Sequence, residues 1–324
     1  RVLERVEGGS YLESELAGPP AVFGWATGEL PEPPNNPQVG MANMRLIMPA
    51  LQKAKPAAID ASVSALTELQ IPAVADSVIH RMPPMPHSAP DFVKQVTAVM
   101  LRGEGDLLPV SAMPVDGTWP SGTAKFEKRN IALEIPEWIE DLCTQCGKCV
   151  FVCPHSAIRA RAFPADAVAE APVSFKHVPA KSKDFPAGTR ISYQVAPEDC
   201  TGCGLCAHNC PVKAKEGSTA KPLTMVTQMD VREPERDNWN FFLEIPEADR
   251  SKLNTGTVKD VQLLRPLFEF SGACAGCGET PYIRLATQLF GDRMLVANAT
   301  GCSSIYGGNL PTTPWAKNGE GKGP

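Results

Sequence analysis

Two cysteine runs constrain this chain more than any other feature. The first, C-T-Q-C-G-K-C-V-F-V-C-P, carries Cys143, Cys146, Cys149 and Cys153; the second, C-T-G-C-G-L-C-A-H-N-C-P, carries Cys200, Cys203, Cys206 and Cys210. Thiols this close within a run cannot staple distant segments, and no charged-then-apolar signal segment opens the sequence, so a disulfide framework is a poor reading. The expected environment is reducing and cytoplasmic, with the thiolates gathered for metal. Of the 11 cysteines, Cys274, Cys277 and Cys302 remain outside the runs.

Both runs have the spacing in which three cysteines hold one iron–sulfur cluster and the fourth, before proline, reaches the neighbouring cluster. The spacing therefore predicts that Cys143, Cys146, Cys149 and Cys210 hold one [4Fe-4S] cluster and Cys200, Cys203, Cys206 and Cys153 the other, in an internal pseudo-twofold. Zinc is the alternative, but a four-thiolate zinc site uses two Cys-x-x-Cys pairs and leaves the further cysteines without a task. Gly147, Gly202 and Gly204 sit between ligands, where a Cβ would crowd a cluster and backbone N–H groups can point at sulfur. His155 and His208 read as neighbours or surface residues, since every ligand position is already taken; His80, His87 and His177 carry no pattern.

Cys274 and Cys277 lie in S-G-A-C-A-G-C-G-E-T-P-Y and Cys302 in N-A-T-G-C-S-S-I-Y-G-G, one thiol short of a cubane set. Spacing alone leaves zinc, a redox dithiol or chance open. Glu279 reads equally as a carboxylate in a glycine-rich turn that a cofactor can approach and as a cap on the following helix.

With 324 residues, 43% of them hydrophobic, the chain has room for two or three domains. A net charge of −5 gives no basic footprint for nucleic acid or anionic membrane, and no apolar stretch approaches the roughly 18 residues of a membrane span. A soluble protein is expected. Arg1 at the start and the run-on end at Gly323-Pro324 give the expectation of a fragment.

Prolines interrupt residues 1–48, which resist assignment. Ile59, Val63, Leu66 and Leu69 behind Pro56, and Phe92, Val96 and Val99 behind Pro90, predict helices over 57–69 and 91–101. Recurrent proline from 81 to 136 predicts an ordered linker wrapped on a surface. The insert between the runs is expected to form surface loops with one hairpin near Ile191–Val195, in a unit whose core is the clusters themselves. From Phe268 the pattern turns α/β. Thr280 is the expected N-cap with Pro281 at the first helical position; Tyr282, Leu285, Ala286 and Leu289 form the apolar face, and Gly291 ends the helix. Met294–Ala297 reads as a buried strand before the loop that holds Cys302.

The string P-V-S-A-M-P-V-D-G-T-W-P-S-G-T-A-K-F-E-K-R-N-I-A, the two runs, L-F-E-F-S-G-A-C-A-G-C-G-E-T-P-Y and N-A-T-G-C-S-S-I-Y-G-G-N-L-P-T-T-P together resemble the pyruvate:ferredoxin (flavodoxin) oxidoreductases from about Pro90 onward, and less so before it. The resemblance implies oxidative decarboxylation of pyruvate with coenzyme A to acetyl-CoA and carbon dioxide, with electrons passed to ferredoxin or flavodoxin and a homodimeric full-length protein. It implies thiamine diphosphate with Mg2+, and Cys274, Cys277 and Cys302 as ligands of a thiamine-proximal cluster whose fourth ligand lies beyond Pro324. It also places Glu279 and the backbone around Cys302 in the thiamine diphosphate site. The Gly-Asp-Gly diphosphate motif and the pyruvate-binding domain of such enzymes are not in this sequence.

The fold class that follows is multidomain α+β, a ferredoxin-like two-[4Fe-4S] domain between part of an α/β domain and the start of a thiamine-diphosphate-binding α/β domain. Its segments are a remnant of the first at 1–80, a Pro-rich linker at 81–137, the ferredoxin-like domain at 138–233 and the thiamine part at 234–324. Two other functions are open: a non-catalytic electron-transfer module and an oxidoreductase for another 2-oxoacid. The strings around Cys274 and Cys302, for which a simple ferredoxin has no use, weigh against the first.

Overall fold

A computed structural model describes residues 85–182, 184–214 and 221–324, with the secondary structure of 2–5 and 11–14. The chain divides into two compact units, Arg1–Arg81 and Met82–Pro324. In the first, β1 (Val2–Arg5) pairs antiparallel with β2 (Tyr11–Ser14). The helix expected over 57–69 lies outside the described residues.

The second unit opens with the helix expected behind Pro90, a π-helical turn Val93–Thr97 that runs into α1 (Ala98–Leu101) and buries Val93 and Val96. The proline-rich stretch after it is tied down between Trp119 and Ala124. Trp119 Nε1 donates to the Pro311 carbonyl at 2.9 Å, and the N–H groups of Gly122 and Ala124 donate to the carbonyls of Trp315 and Thr313.

β3 (Glu134–Trp138) leads into the first cysteine run, whose α2 (Lys148–Val152) follows Gly147. β4 (Ile158–Phe163), β5 (Val178–Pro179) and β6 (Arg190–Val195) then form an antiparallel sheet in the order β4-β6-β5. The insert therefore does more than the expected hairpin and loops. β6 pairs with the distant β4 along its whole length, from Ile158 opposite Val195 to Phe163 opposite Arg190; β4 is buried throughout and β6 everywhere but Arg190, so both faces are packed. The second run carries α3 (Leu205–His208), and β7 (Leu223–Thr227) returns to pair with β3.

α4 (Gln228–Glu244) lays Trp239 and Phe242 against Phe163, Phe175 and Phe270. Its C-terminal carbonyls are capped from the sheet, where the buried Arg161 guanidinium donates to Phe242, Leu243 and Ile245. After α5 (Val258–Val261) come α6 (Thr280–Phe290) and α7 (Cys302–Gly308). The core between the sheets is an apolar cluster of Trp138, Val150, Ile158, Tyr193, Val195 and Leu223, with Cys143 and Cys206 inside it. Protein side chains, not only the expected clusters, build this interior.

Two expectations for the last segment are corrected. α6 starts at Thr280 with Glu279 at the N-cap position and no side-chain cap, and it buries Thr280, Pro281, Arg284, Thr287 and Gln288 while Tyr282 is 69% exposed. Its polar face points inward because the groove it fills is lined with backbone acceptors: Gln288 donates to the Leu264 carbonyl and Arg284 to that of Phe151, both at 2.7 Å. Met294–Ala297 is not a strand; Leu295 is 99% exposed, and none of the described residues pairs with this stretch.

Candidate functional site

Each run folds into the same turn. The residue before the second cysteine has positive φ in both, 58° at Gln145 and 69° at Gly202, and the glycine that caps each short helix has φ 73° at Gly147 and 70° at Gly204. The N–H of Gln145 points at Cys143 Sγ, 3.3 Å away, and that of Gly202 at Cys200 Sγ, 3.5 Å away. The sulfur-directed donor of the first run is thus Gln145, which a search for glycines does not find. Its amide is held by the insert: Gln145 Nε2 donates to the Pro179 carbonyl, the Lys181 N–H donates to Gln145 Oε1, and Lys181 Nζ donates to the Cys143 carbonyl at 2.6 Å.

The turns aim their thiols into two cavities. One is lined by Cys153, Cys200, Cys203 and Cys206, the other by Cys143, Cys146, Cys149 and Cys210. Each set draws three cysteines from one run and the last from the other. The strand pairs wall both cavities. Alternation along β3 and β7 places the cross-strand pair Pro136–Met225 over the first and Trp138–Leu223 over the second, while β6 gives Val195 to the first and Tyr193 to the second. Trp138, Tyr193, Val195 and Leu223 are all buried, so these walls exclude water.

Burial pushes the thiols out of their ordinary range. Cys149 is raised well above it, first by burial and then by repulsion from Cys143, Cys206 and Cys146; burial with Cys153 and Cys203 nearby takes Cys200 up to about 12. Ionising such a set requires positive charge in the middle, which iron supplies. No three His, Cys, Asp or Glu among the described residues are placed to hold a single metal ion. A zinc site needs four sulfurs about 2.3 Å from one atom, whereas a cluster offers each thiolate its own iron. The donor sets fit [4Fe-4S] clusters.

A family model described as a 4Fe-4S dicluster domain matches residues 142–214, and one described as a domain of unknown function matches residues 79–132. The chain is 53% identical over 274 residues to a pyruvate-flavodoxin oxidoreductase of Nostoc sp., with 82% of this chain and 23% of that protein covered. It is 54% identical over 269 residues to the one of Rhodospirillum rubrum, covering 83% and 22%. It is 47% identical over 269 residues to a pyruvate:ferredoxin oxidoreductase of Moorella thermoacetica, covering 83% and 22%. The chain is homologous to part of the pyruvate-flavodoxin oxidoreductases. It spans under a quarter of the length of these curated relatives.

The third cysteine set lies on an open face. Cys274 and Cys302 are exposed and Cys277 is half-buried. Tyr306 Oη donates to Glu279 Oε2 at 3.1 Å, and burial, the Glu279 carboxylate and the nearby Cys277 and Cys302 push the phenol up to about 12. Tyr306 thus joins Glu279, a placement that neither the capping nor the spacing argument anticipates.

The third set also touches the first cavity. A Cβ on Gly276 would stand 3.9 Å from that of Cys203. His155, 3% exposed, spans the same seam: Nε2 donates to the Ala273 carbonyl at 2.8 Å and Nδ1 faces the Thr201 hydroxyl at 3.4 Å. Burial lowers the pKa of this ring, in keeping with a neutral tautomer that joins the two segments. His208 is exposed, and His177 accepts from Arg190. Among the described residues no helix is long and apolar enough to cross a membrane.

Proposed function

We propose that this stretch is the electron relay of a pyruvate-flavodoxin oxidoreductase, carrying electrons from the oxidative decarboxylation of pyruvate with coenzyme A toward a flavodoxin or ferredoxin. The observation that carries the reading is the pair of adjacent cavities, each lined by four cysteines drawn from both runs. Bound there, [4Fe-4S] clusters supply one-electron storage and transfer. The protein's part is to fix the thiols, keep water out with Trp138, Tyr193, Val195 and Leu223, and aim the Gln145 and Gly202 N–H groups at sulfur, which favours the reduced, more negative state.

Cys274, Cys277 and Cys302 are the proposed ligands of a further cluster on the side where electrons enter, because their loop abuts Cys203. Glu279 and the backbone at Cys302 are the proposed contribution to a thiamine diphosphate site, whose Mg2+ and diphosphate ligands this sequence does not supply. Electron flow would then run from the third set to the Cys153–Cys200–Cys203–Cys206 cavity, and on to the Cys143–Cys146–Cys149–Cys210 cavity. A soluble cytoplasmic setting suits oxygen-sensitive clusters and the free thiols.

Anaerobic reconstitution of the chain with iron and sulfide tests the relay, with about eight irons and matching sulfide expected from the two complete sets. Stoichiometric zinc with no visible absorption would sink it. The full-length parent is expected to reduce flavodoxin or ferredoxin with pyruvate, coenzyme A and thiamine diphosphate, and this stretch alone is expected not to turn over. Reduction with a different 2-oxoacid and none with pyruvate would move the substrate assignment.

A further inference from the structure

Arg284, 1% exposed, heads the largest fully buried side chains of the protein. A guanidinium cannot shed its proton at ordinary pH, so one taken out of water needs an anion or a ring of acceptors. Its neighbours have theirs. Arg159 is paired with Glu269, Arg161 holds the carbonyls that end α4, and Arg265 lies 3.6 Å from Glu247. Arg284 pairs with no carboxylate among the described residues. It makes one hydrogen bond, from Nη2 to the Phe151 carbonyl at 2.7 Å, and its Nε has no partner.

The position of that bond is informative. Phe151 stands midway between Cys149, which lines one cavity, and Cys153, which lines the other. Burial brings the Arg284 pKa down to about 10, with the nearby Arg159 adding to the fall and thiolates at Cys153 and Cys149 opposing it.

We propose that Arg284 is the shared counter-charge of the two cysteine centres, a fixed buried cation that makes both easier to reduce. Four thiolates leave each cluster site net negative, and an added electron increases that charge. A buried cation bonded to the Phe151 carbonyl, two residues from a cysteine of each site, offsets it at both with little screening by solvent or salt. Because Arg284 belongs to α6, the helix that follows the third cysteine set, the same contact fixes that segment to the relay. The inference rests on the cluster reading above.

The test is a potentiometric titration, followed by electron paramagnetic resonance, of the full chain with reconstituted clusters. Arg284→Gln removes the charge and Arg284→Lys keeps it. The expected result is that Gln moves both midpoint potentials to more negative values, while Lys leaves them near those of the unsubstituted chain. Gln288→Glu is the second variant. Gln288 sits one turn along α6 and lines the same buried space as Arg284, so a carboxylate there adds an opposing charge; it gives up the bond to Leu264 but not that of Arg284 to Phe151, and unchanged iron content checks that α6 stays seated. This variant should lower both potentials as well.

Loaded clusters whose potentials stay unchanged in Arg284→Gln and Gln288→Glu would overturn the proposal and leave Arg284 a structural pin. A shift at only one centre would overturn the shared role. If the unsubstituted chain takes up no iron and sulfide, the cluster reading itself fails, and that outcome is read before any variant is made.

Discussion

Around the paired cavities each cysteine run is held by strands that precede and follow it, whereas Cys274, Cys277 and Cys302 rest on a turn and a short helix with two of the three thiols exposed. Both regions present cysteine thiols. What differs is who completes the site: the runs exchange their fourth cysteines and share walls from β3, β6 and β7, so they close on themselves. Beside the third set, Tyr306 is buried but its partner Glu279 is exposed. The enclosed cavities are assembled from segments far apart along the chain, whereas the third set is left with two of its thiols open.

The strongest way to break this comparison is to test the exchange. Cys210→Ala should remove about four of roughly eight irons. The centre lost should be the one held by the first run, although Cys210 belongs to the second. A double variant with Cys146→Ala should lose no more than either single change, whereas combining Cys210→Ala with Cys203→Ala should empty both sites. Iron and sulfide analysis reads this directly, and the reverse pattern would mean that each run serves itself.

The grouping of the cysteines around each cavity matches the spacing expectation, because spacing within a run is local and a backbone turn is repeated at Gln145 and Gly202. The walls were not legible in the sequence. Trp138 and Tyr193 are ordinary aromatics until β3 meets β7 and β6 meets β4, pairings between segments far apart along the chain. α6 failed differently. Its apolar spacing gave the helix correctly and the buried face wrongly, since a period reports two faces but not which one has a partner, and the groove over Phe151 and Leu264 demands donors. Met294–Ala297 has strand composition without a strand beside it, and composition cannot supply the neighbour.

The enclosed side should also be the side sensitive to charge. Asp199, next to Cys200, is paired with Lys128 at 2.5 Å, yet burial outweighs the lysine and takes its carboxyl up to about 6. A carboxyl raised in the folded state contributes stability below its unfolded value near 3.8, and that contribution is lost as pH rises through about 6. Lys128→Met removes the counter-charge and should extend this loss. Chemical denaturation at pH 8 is expected to show a deficit of roughly 3 kcal/mol relative to the unsubstituted chain, shrinking at pH 5 where Asp199 is protonated. A deficit independent of pH would mean that Lys128 acts through packing alone.

A matched pair of glycine substitutions compares the two regions at similar backbone strain. Gly202 and Gly276 have φ of 69° and 76°, so alanine at either is disfavoured. At Gly202 a Cβ would also stand 3.1 Å from the Glu134 carbonyl oxygen of the β3 wall, whereas at Gly276 its closest neighbour is the Cys203 Cβ at 3.9 Å. Gly202→Ala should therefore cost about 2 kcal/mol and Gly276→Ala about 1 kcal/mol in thermal or chemical unfolding. Equal costs would say that the third set is as tightly enclosed as the pair.

The smallest effect is expected where the site is most open. Tyr306→Phe deletes the hydroxyl that donates to Glu279 and leaves the ring against Phe268, where the centroids are 5.9 Å apart. Glu279 is exposed, so water can replace the lost donor and the stability change should be about 1 kcal/mol or less. Iron content of the paired cavities should not move, because no wall residue of either is touched. In the full-length parent the same substitution is expected to lower turnover more than stability, since it frees the carboxylate proposed to face thiamine diphosphate. A large stability loss in the chain with unchanged turnover in the parent would instead place Glu279 and Tyr306 in the scaffold, and would leave the open face to its cysteines alone.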